Sequence, residues 1–163
     1  MSRLDAFIRR MQAQRACIDA VAGHSRGQSG PILELGLGNG RTYDHLRACF
    51  AGHPIYVFDR HVAAHPDCIP PPQFLRLGDF RSTVPAFAAE GHPGAILIHA
   101  DIGSGDDAAS RHLASDLAPA WVRILAIGGF LASDQAVDQV ALTPWPLPDG
   151  VDAGRYHLYR RLH

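Results

Sequence analysis

The densest chemistry in this chain lies in nine consecutive residues, Glu34-Leu35-Gly36-Leu37-Gly38-Asn39-Gly40-Arg41-Thr42. Three glycines at alternate positions permit a tight turn and let a ligand lie against bare backbone. A helix opening just after them presents N–H groups and the positive end of its dipole. Spacing discriminates among the ligands such a loop can hold. A phosphate loop requires GxxxxGK[ST]. Gly40-Arg41-Thr42 imitates its end, but Leu35 stands at the first glycine and Arg41 at the lysine. A dinucleotide loop requires GxGxxG, and here the third glycine arrives one residue early. Glu34 adds an acid two residues before the first glycine.

Further polar groups follow the other apolar runs. Asp59 closes the run 55–58 and is followed by Arg60. Gly78-Asp79-Phe80 follows 73–77. His99, Asp101 and Ile102 end or follow 95–99, and Asp134-Gln135 follows 130–133. His99 has two readings: a hydrogen-bonded core histidine, or a general base that takes a proton from a substrate. No nucleophile–base pair stands out. The ten His are scattered, without HExxH or paired ligand spacing, and the three Cys show no CxxC. Structural thiols in a reducing compartment are the expectation, with neither disulfide nor zinc.

These residues need a scaffold that gathers strand ends. Residues 3–22 repeat Leu4, Phe7, Ile8, Met11, Ile18 and Val21 at helical spacing, with Ser2 and Asp5 set as a capping box. Strands are expected at 31–35, 55–58, 73–77, 95–99 and 130–133. Helices are expected at 41–50, 80–90 and 106–117, the last ending before Pro119. The segment 61–72 reads as Pro-rich and irregular with a short helical piece. Segments 137–142 and 155–162 bracket a Pro-rich turn as a final hairpin. Apolar strands alternating with helices predict an α/β fold: a doubly wound, mostly parallel sheet with helices on both faces. One domain spans 1–163, divided into the N-terminal helix 1–22, a core over 31–135 and a terminal hairpin over 136–163.

Composition closes off several functions. The chain has 163 residues, 15 basic against 16 acidic side chains, and a net charge of −1. Every basic residue is Arg; there is no Lys, two Glu and one Asn. Without Lys there is no Schiff-base chemistry and no Walker phosphate loop. The charge balance leaves no electrostatic footprint for nucleic acid. The N-terminal segment holds no secretory apolar stretch, and no run approaches the ~20 apolar residues of a membrane span. A cytoplasmic protein with no nucleic-acid or membrane partner is the expectation.

Taken together, the strand-end residues resemble those of the class I S-adenosylmethionine (SAM) dependent methyltransferases, whose fold is Rossmann-like. Acid-x-Gly-x-Gly-x-Gly is that family's first motif. The resemblance covers about 31–135, and the hairpin would complete the family's seven-stranded sheet. It implies SAM as cofactor, with Gly36, Leu37, Gly38, Asn39, Gly40 and Thr42 along its methionine half and Glu34 orienting the loop or the ammonium. It makes Asp59 the ribose ligand, 19 residues beyond Gly40. It places Gly78, Asp79 and Phe80 at the adenine, Arg60 against the cofactor or a surface acid, and Asp101 and Ile102 after the fourth strand. His99 and Asp101 are its candidate catalytic residues. No metal is expected, although Asp101, Asp134 and Gln135 resemble a magnesium set in which Gln replaces the usual Asn.

Transfer of the methyl group is an in-line displacement, governed by proximity and desolvation. The implied acceptor is a small molecule. Its specificity would come from the first helix, where Arg10 and Gln14 help close the site, from 61–72 and 133–155, or from a neighbouring copy. An NAD-binding oxidoreductase is the alternative, against which stand the early third glycine and the absence of a Tyr-xxx-Lys pair. A non-catalytic SAM-binding module is another.

Overall fold

A computed structural model describes residues 2–163. The elements are α1 (Arg3–His24), β1 (Ile32–Leu35), α2 (Arg41–Cys49), β2 (Ile55–Asp59), β3 (Leu75–Leu77), α3 (Phe80–Ala89), β4 (Ala95–Ala100), α4 (Asp107–Ile124), β5 (Leu125–Ser133), β6 (Leu142–Pro144) and β7 (His157–Arg161). They form one seven-stranded sheet in the order β3-β2-β1-β4-β5-β7-β6. The first five strands are parallel, and β7 runs antiparallel between β5 and β6. This is the expected doubly wound sheet with its C-terminal hairpin. β1 and β4 are buried at every position, as strands covered on both faces must be.

Two apolar clusters sandwich the sheet. One packs α3 and α4 through Phe87, Leu117 and Trp121. The other packs α1 and α2 through Cys17, Ile18, Val21 and Leu46. α1 begins with the expected capping box: the Asp5 amide donates to Ser2 Oγ at 3.0 Å, and the Ser2 amide donates to Asp5 Oδ2 at 3.0 Å.

Several boundaries differ from expectation. α4 passes through Pro119 instead of stopping before it. Pro119 and Ser115, whose carbonyl loses its helical partner, both lie on the exposed face. Leu117, Ala118 and Trp121 hold the other face in the core. β5 begins at Leu125, five residues early, and absorbs Gly128-Gly129 as an irregularity in its pairing with β4. A Cβ on Gly129 would stand 2.6 Å from the Ala95 carbonyl oxygen, so the strands close only around glycine. β3 is shorter than expected because Pro72–Phe74 forms a 3-10 turn. β6 lies at Leu142–Pro144, at the start of the expected turn and not over 137–142. The Val137 amide instead donates to the Tyr159 hydroxyl at 2.9 Å. Pro66–Cys68 supplies the short helical piece within 61–72.

Candidate active site

Strand order reverses between β1 and β4, so their connections leave in opposite directions and open a crevice at their carboxyl ends. The glycine loop after β1 and Asp101 after β4 form its two lips. Gly36 has φ +92°, and a Cβ there would overlap the Asp101 carbonyl oxygen. Gly40, at φ +86°, would bring a Cβ within 2.5 Å of Cys68 Cβ. Gly38 differs: its φ is +49°, and nothing lies within 4 Å of a Cβ built on it. Two glycines are therefore demanded by packing, whereas Gly38 faces open space.

Asp59, at the end of β2, reaches into this loop. Its Oδ2 accepts the amides of Leu37 at 2.9 Å and Gly38 at 3.2 Å, and its Oδ1 accepts the Arg60 amide at 2.6 Å. Next along the sheet edge, Asp79 caps α3 by accepting the Arg81 amide at 2.8 Å. Arg60 Nη2 lies 3.3 Å from its other oxygen. The Arg81 amide foremost, then Arg60, hold the Asp79 carboxyl below its ordinary range. Gly78 donates its amide to the Asp59 carbonyl at 2.9 Å, and Phe80 packs on the core.

Glu34 and His99 are register partners on β1 and β4, and both are wholly buried. His99 Nδ1 meets Glu34 Oε2 at 2.5 Å, Nε2 meets the Tyr156 hydroxyl at 2.5 Å, and the Thr42 hydroxyl donates to Glu34 Oε1. Burial pushes the imidazole toward neutrality, but the adjacent Glu34 carboxylate outweighs it, and the net displacement is upward. One ring nitrogen is thus engaged by Glu34 and the other by Tyr156. Burial foremost raises the Tyr156 hydroxyl well above its ordinary value. His99 thus lies as a hydrogen-bonded core histidine, with both ring nitrogens engaged by protein. No local sequence pattern singles out Tyr156, which only the tertiary structure brings to His99.

Asp101 lines the crevice. Its Oδ2 accepts from Gln14 Nε2 at 2.9 Å, which ties α1 across the mouth. Gln14 is 1% exposed, and its Oε1 is buried without a hydrogen-bond partner. Asp134 accepts the amides of Ile102 at 3.2 Å and Gly103 at 2.8 Å and the side-chain amide of Gln135 at 3.2 Å. These bonds hold the turn after β4. Burial first, then Asp101, raises the Asp134 carboxyl despite them. The magnesium resemblance therefore finds Asp134 occupied by backbone. α1 closes the crevice with Phe7, Arg10 and Met11, leaving a cavity of about 100 Å³.

A switch-point crevice lined by a glycine loop, with an acid at each successive strand end, defines a nucleoside-cofactor-binding α/β enzyme. The family model of the S-adenosyl-L-methionine methyltransferases matches residues 1–161, and the chain belongs to that family. An S-adenosyl-L-methionine methyl transferase from Silicibacter pomeroyi DSS-3 is 45% identical, with a TM-score of 0.93 over 99% of each chain. Human methyltransferase-like protein 13, solved with S-adenosylhomocysteine (SAH), shares the fold at 15% identity. Its TM-score is 0.59, over 98% of this chain and 81% of that one. TrmN from Thermus thermophilus is 16% identical with a TM-score of 0.59, over 89% of this chain and 48% of that one. No curated protein sequence matches the chain. The protein is a SAM-dependent methyltransferase, and the NAD alternative is set aside. Among the described residues no helix is long and apolar enough to cross a membrane.

Proposed function

We propose that this enzyme methylates a small-molecule acceptor bearing a carboxylate or phosphate. One observation carries the reading. Arg10 and Arg41 line the crevice, and Arg10 and Arg155 line the adjoining hollow outside it. Among the described residues, none of these three guanidiniums has an acidic partner within salt-bridge distance. Arg41 stands 5.7 Å over the Phe7 ring, which fixes its position on the rim. Three unpaired cations spread over the crevice and the adjoining hollow favour a small anion.

The residues present fit the cofactor. The space over Gly38 accepts a ligand against bare backbone. The unpartnered Gln14 Oε1 beside the Asp101 carboxylate accepts from a cationic group. SAM, when bound, supplies a methyl group on a sulfonium that is already electrophilic. In this reading Asp59 holds the ribose diol with its remaining lone pairs, and Arg60, Asp79 and Phe80 border the adenine. Gln14 and Asp101 take the ammonium end, and Glu34 and His99 position the loop without touching either reactant. Phe7 and Met11 exclude water from the line of transfer.

Asp59→Ala is expected to weaken SAH binding by ~1.5–3 kcal/mol, roughly 10–150-fold, because a hydrogen-bonded charge is lost. Calorimetry checks this, and an unchanged Kd would place the ribose elsewhere. For the acceptor, the test is a panel of carboxylates and phosphates beside their neutral esters and amides. Arg10→Ala and Arg155→Ala should each raise KM for the anionic members about 3–10-fold, an effect that shrinks as salt rises. Equal turnover of the neutral members, or turnover of RNA alone, overturns the reading.

A further inference from the structure

Between α1 and α2, three side chains of different chemistry meet, none of them among the residues lining the crevice. His45 and Cys49 stand four residues apart on α2 and so share a face. Asp19 approaches them from α1. His45 Nε2 lies 2.7 Å from Asp19 Oδ1, Cys49 Sγ lies 3.4 Å from His45 Nε2, and Cys49 Sγ lies 3.6 Å from Asp19 Oδ1. Asp19 is exposed, and the other two are partly so.

We propose that Asp19, His45 and Cys49 form a binding site for a borderline-soft divalent cation, zinc above all, that bridges α1 to α2. Zinc bonds of about 2.3 Å to sulfur and about 2.0–2.1 Å to nitrogen and oxygen put tetrahedral ligand atoms roughly 3.3–3.6 Å apart. Two edges of that triangle already stand at these lengths. The third, between His45 and Asp19, is a hydrogen bond that opens by about 0.6 Å when both atoms turn to one ion. A triangle of N, S and O donors with solvent above it leaves the fourth position to water. Coordination forms a metal–sulfur bond and releases the Cys49 thiol proton to solvent. Softness selects the ion: a thiolate with an imidazole excludes magnesium and calcium and suits zinc.

The location gives the site a consequence. α1 carries Phe7, Arg10, Met11 and Gln14 on the crevice side, and α2 opens at the glycine loop with Arg41 and Thr42. An ion between the two helices fixes the lid relative to the loop and leaves the reacting groups untouched.

The experiment is a Co2+ titration of the tag-free, metal-stripped full chain, followed by displacement with Zn2+ alone. One equivalent of cobalt should produce a near-ultraviolet thiolate-to-cobalt charge-transfer band with intense tetrahedral visible absorption, and zinc should abolish both. At about a hundredfold excess over Kd, zinc should raise Tm by roughly 5–10 °C. Cys49→Ser should remove the band and the Tm response while leaving SAH binding of the metal-free protein unchanged. Asp19→Asn should weaken cobalt at least tenfold. Cys68→Ser should leave the band intact. No one-to-one cobalt–thiolate band, or a band that survives Cys49→Ser, overturns the proposal.

Discussion

Glu34→Ala is expected to lower the unfolding free energy by about 3–5 kcal/mol, the usual loss when one partner of a buried ion pair is removed. For a chain of this size the corresponding fall in Tm is roughly 6–20 °C. The side chain joins three elements at once: β1 through its own backbone, β4 through His99, and the first turn of α2 through Thr42. Its removal leaves a wholly buried imidazole facing an empty space and frees both flanks of the glycine loop. SAH affinity should fall along with stability. The double substitution Glu34→Leu, His99→Leu should recover part of the loss, because an apolar pair no longer leaves a charge unpaired. A loss under about 1 kcal/mol for Glu34→Ala would mean that no uncompensated charge is left behind and that the two side chains do not form an ion pair.

The same pair sets a pH dependence. The folded protein holds the His99 proton more tightly than the unfolded chain does. Its contribution is therefore complete below the unfolded histidine value of about 6.5. It fades as pH rises through the higher folded value. Urea unfolding of wild type and His99→Gln across this range checks the sign: the difference between them should shrink toward alkaline pH. A difference that grows would indicate a neutral His99.

Gly36→Ala is the second large effect. Its Cβ would overlap the Asp101 carbonyl at a backbone angle that L-residues avoid. A left-handed conformation costs roughly 1–2 kcal/mol and overpacking a further 1–3 kcal/mol or so, for a total of about 2–5 kcal/mol. β1 and β4 must part at their carboxyl ends to accommodate it, and the crevice is lost with them. Gly38→Ala provides the contrast. Nothing meets its Cβ, so only the conformational cost of about 1–2 kcal/mol applies. Its methyl group instead enters the space over the loop, so SAH binding should fall at least tenfold in a protein that still folds. Thermal melts beside calorimetry separate the two. Equal losses of stability would deny the division between a packing glycine and a ligand-facing one.

The strands were legible because their signal is local. A buried parallel strand must be apolar at nearly every position, and β1, β2 and β4 are found where their apolar runs lie. Misplaced boundaries have causes that lie outside the local pattern. Pro119 is read as a stop only if its helix must satisfy every bond alone. Here the core holds the apolar face, and water can reach the carbonyl that proline releases. Gly128-Gly129 reads as the approach to a strand, whereas the β4–β5 pairing takes both residues inside β5 as an irregularity. The spacing of His45 and Cys49 was visible as HxxxC, but a search for HExxH and CxxC passes over it.

By itself, the sequence determined the alternation of elements and the glycine loop, and its strand-end acids carried the resemblance to the SAM-dependent methyltransferases. Each follows from local periodicity or from backbone freedom at named positions. Only the tertiary structure decided what the side chains touch. Glu34 meets His99 across 65 residues of chain, Gln14 meets Asp101 across 87, and Asp19 meets His45 across 26. Those distances depend on strand register and on how α1 lies over the sheet. Both are set by burial summed over the whole core, which no local pattern records.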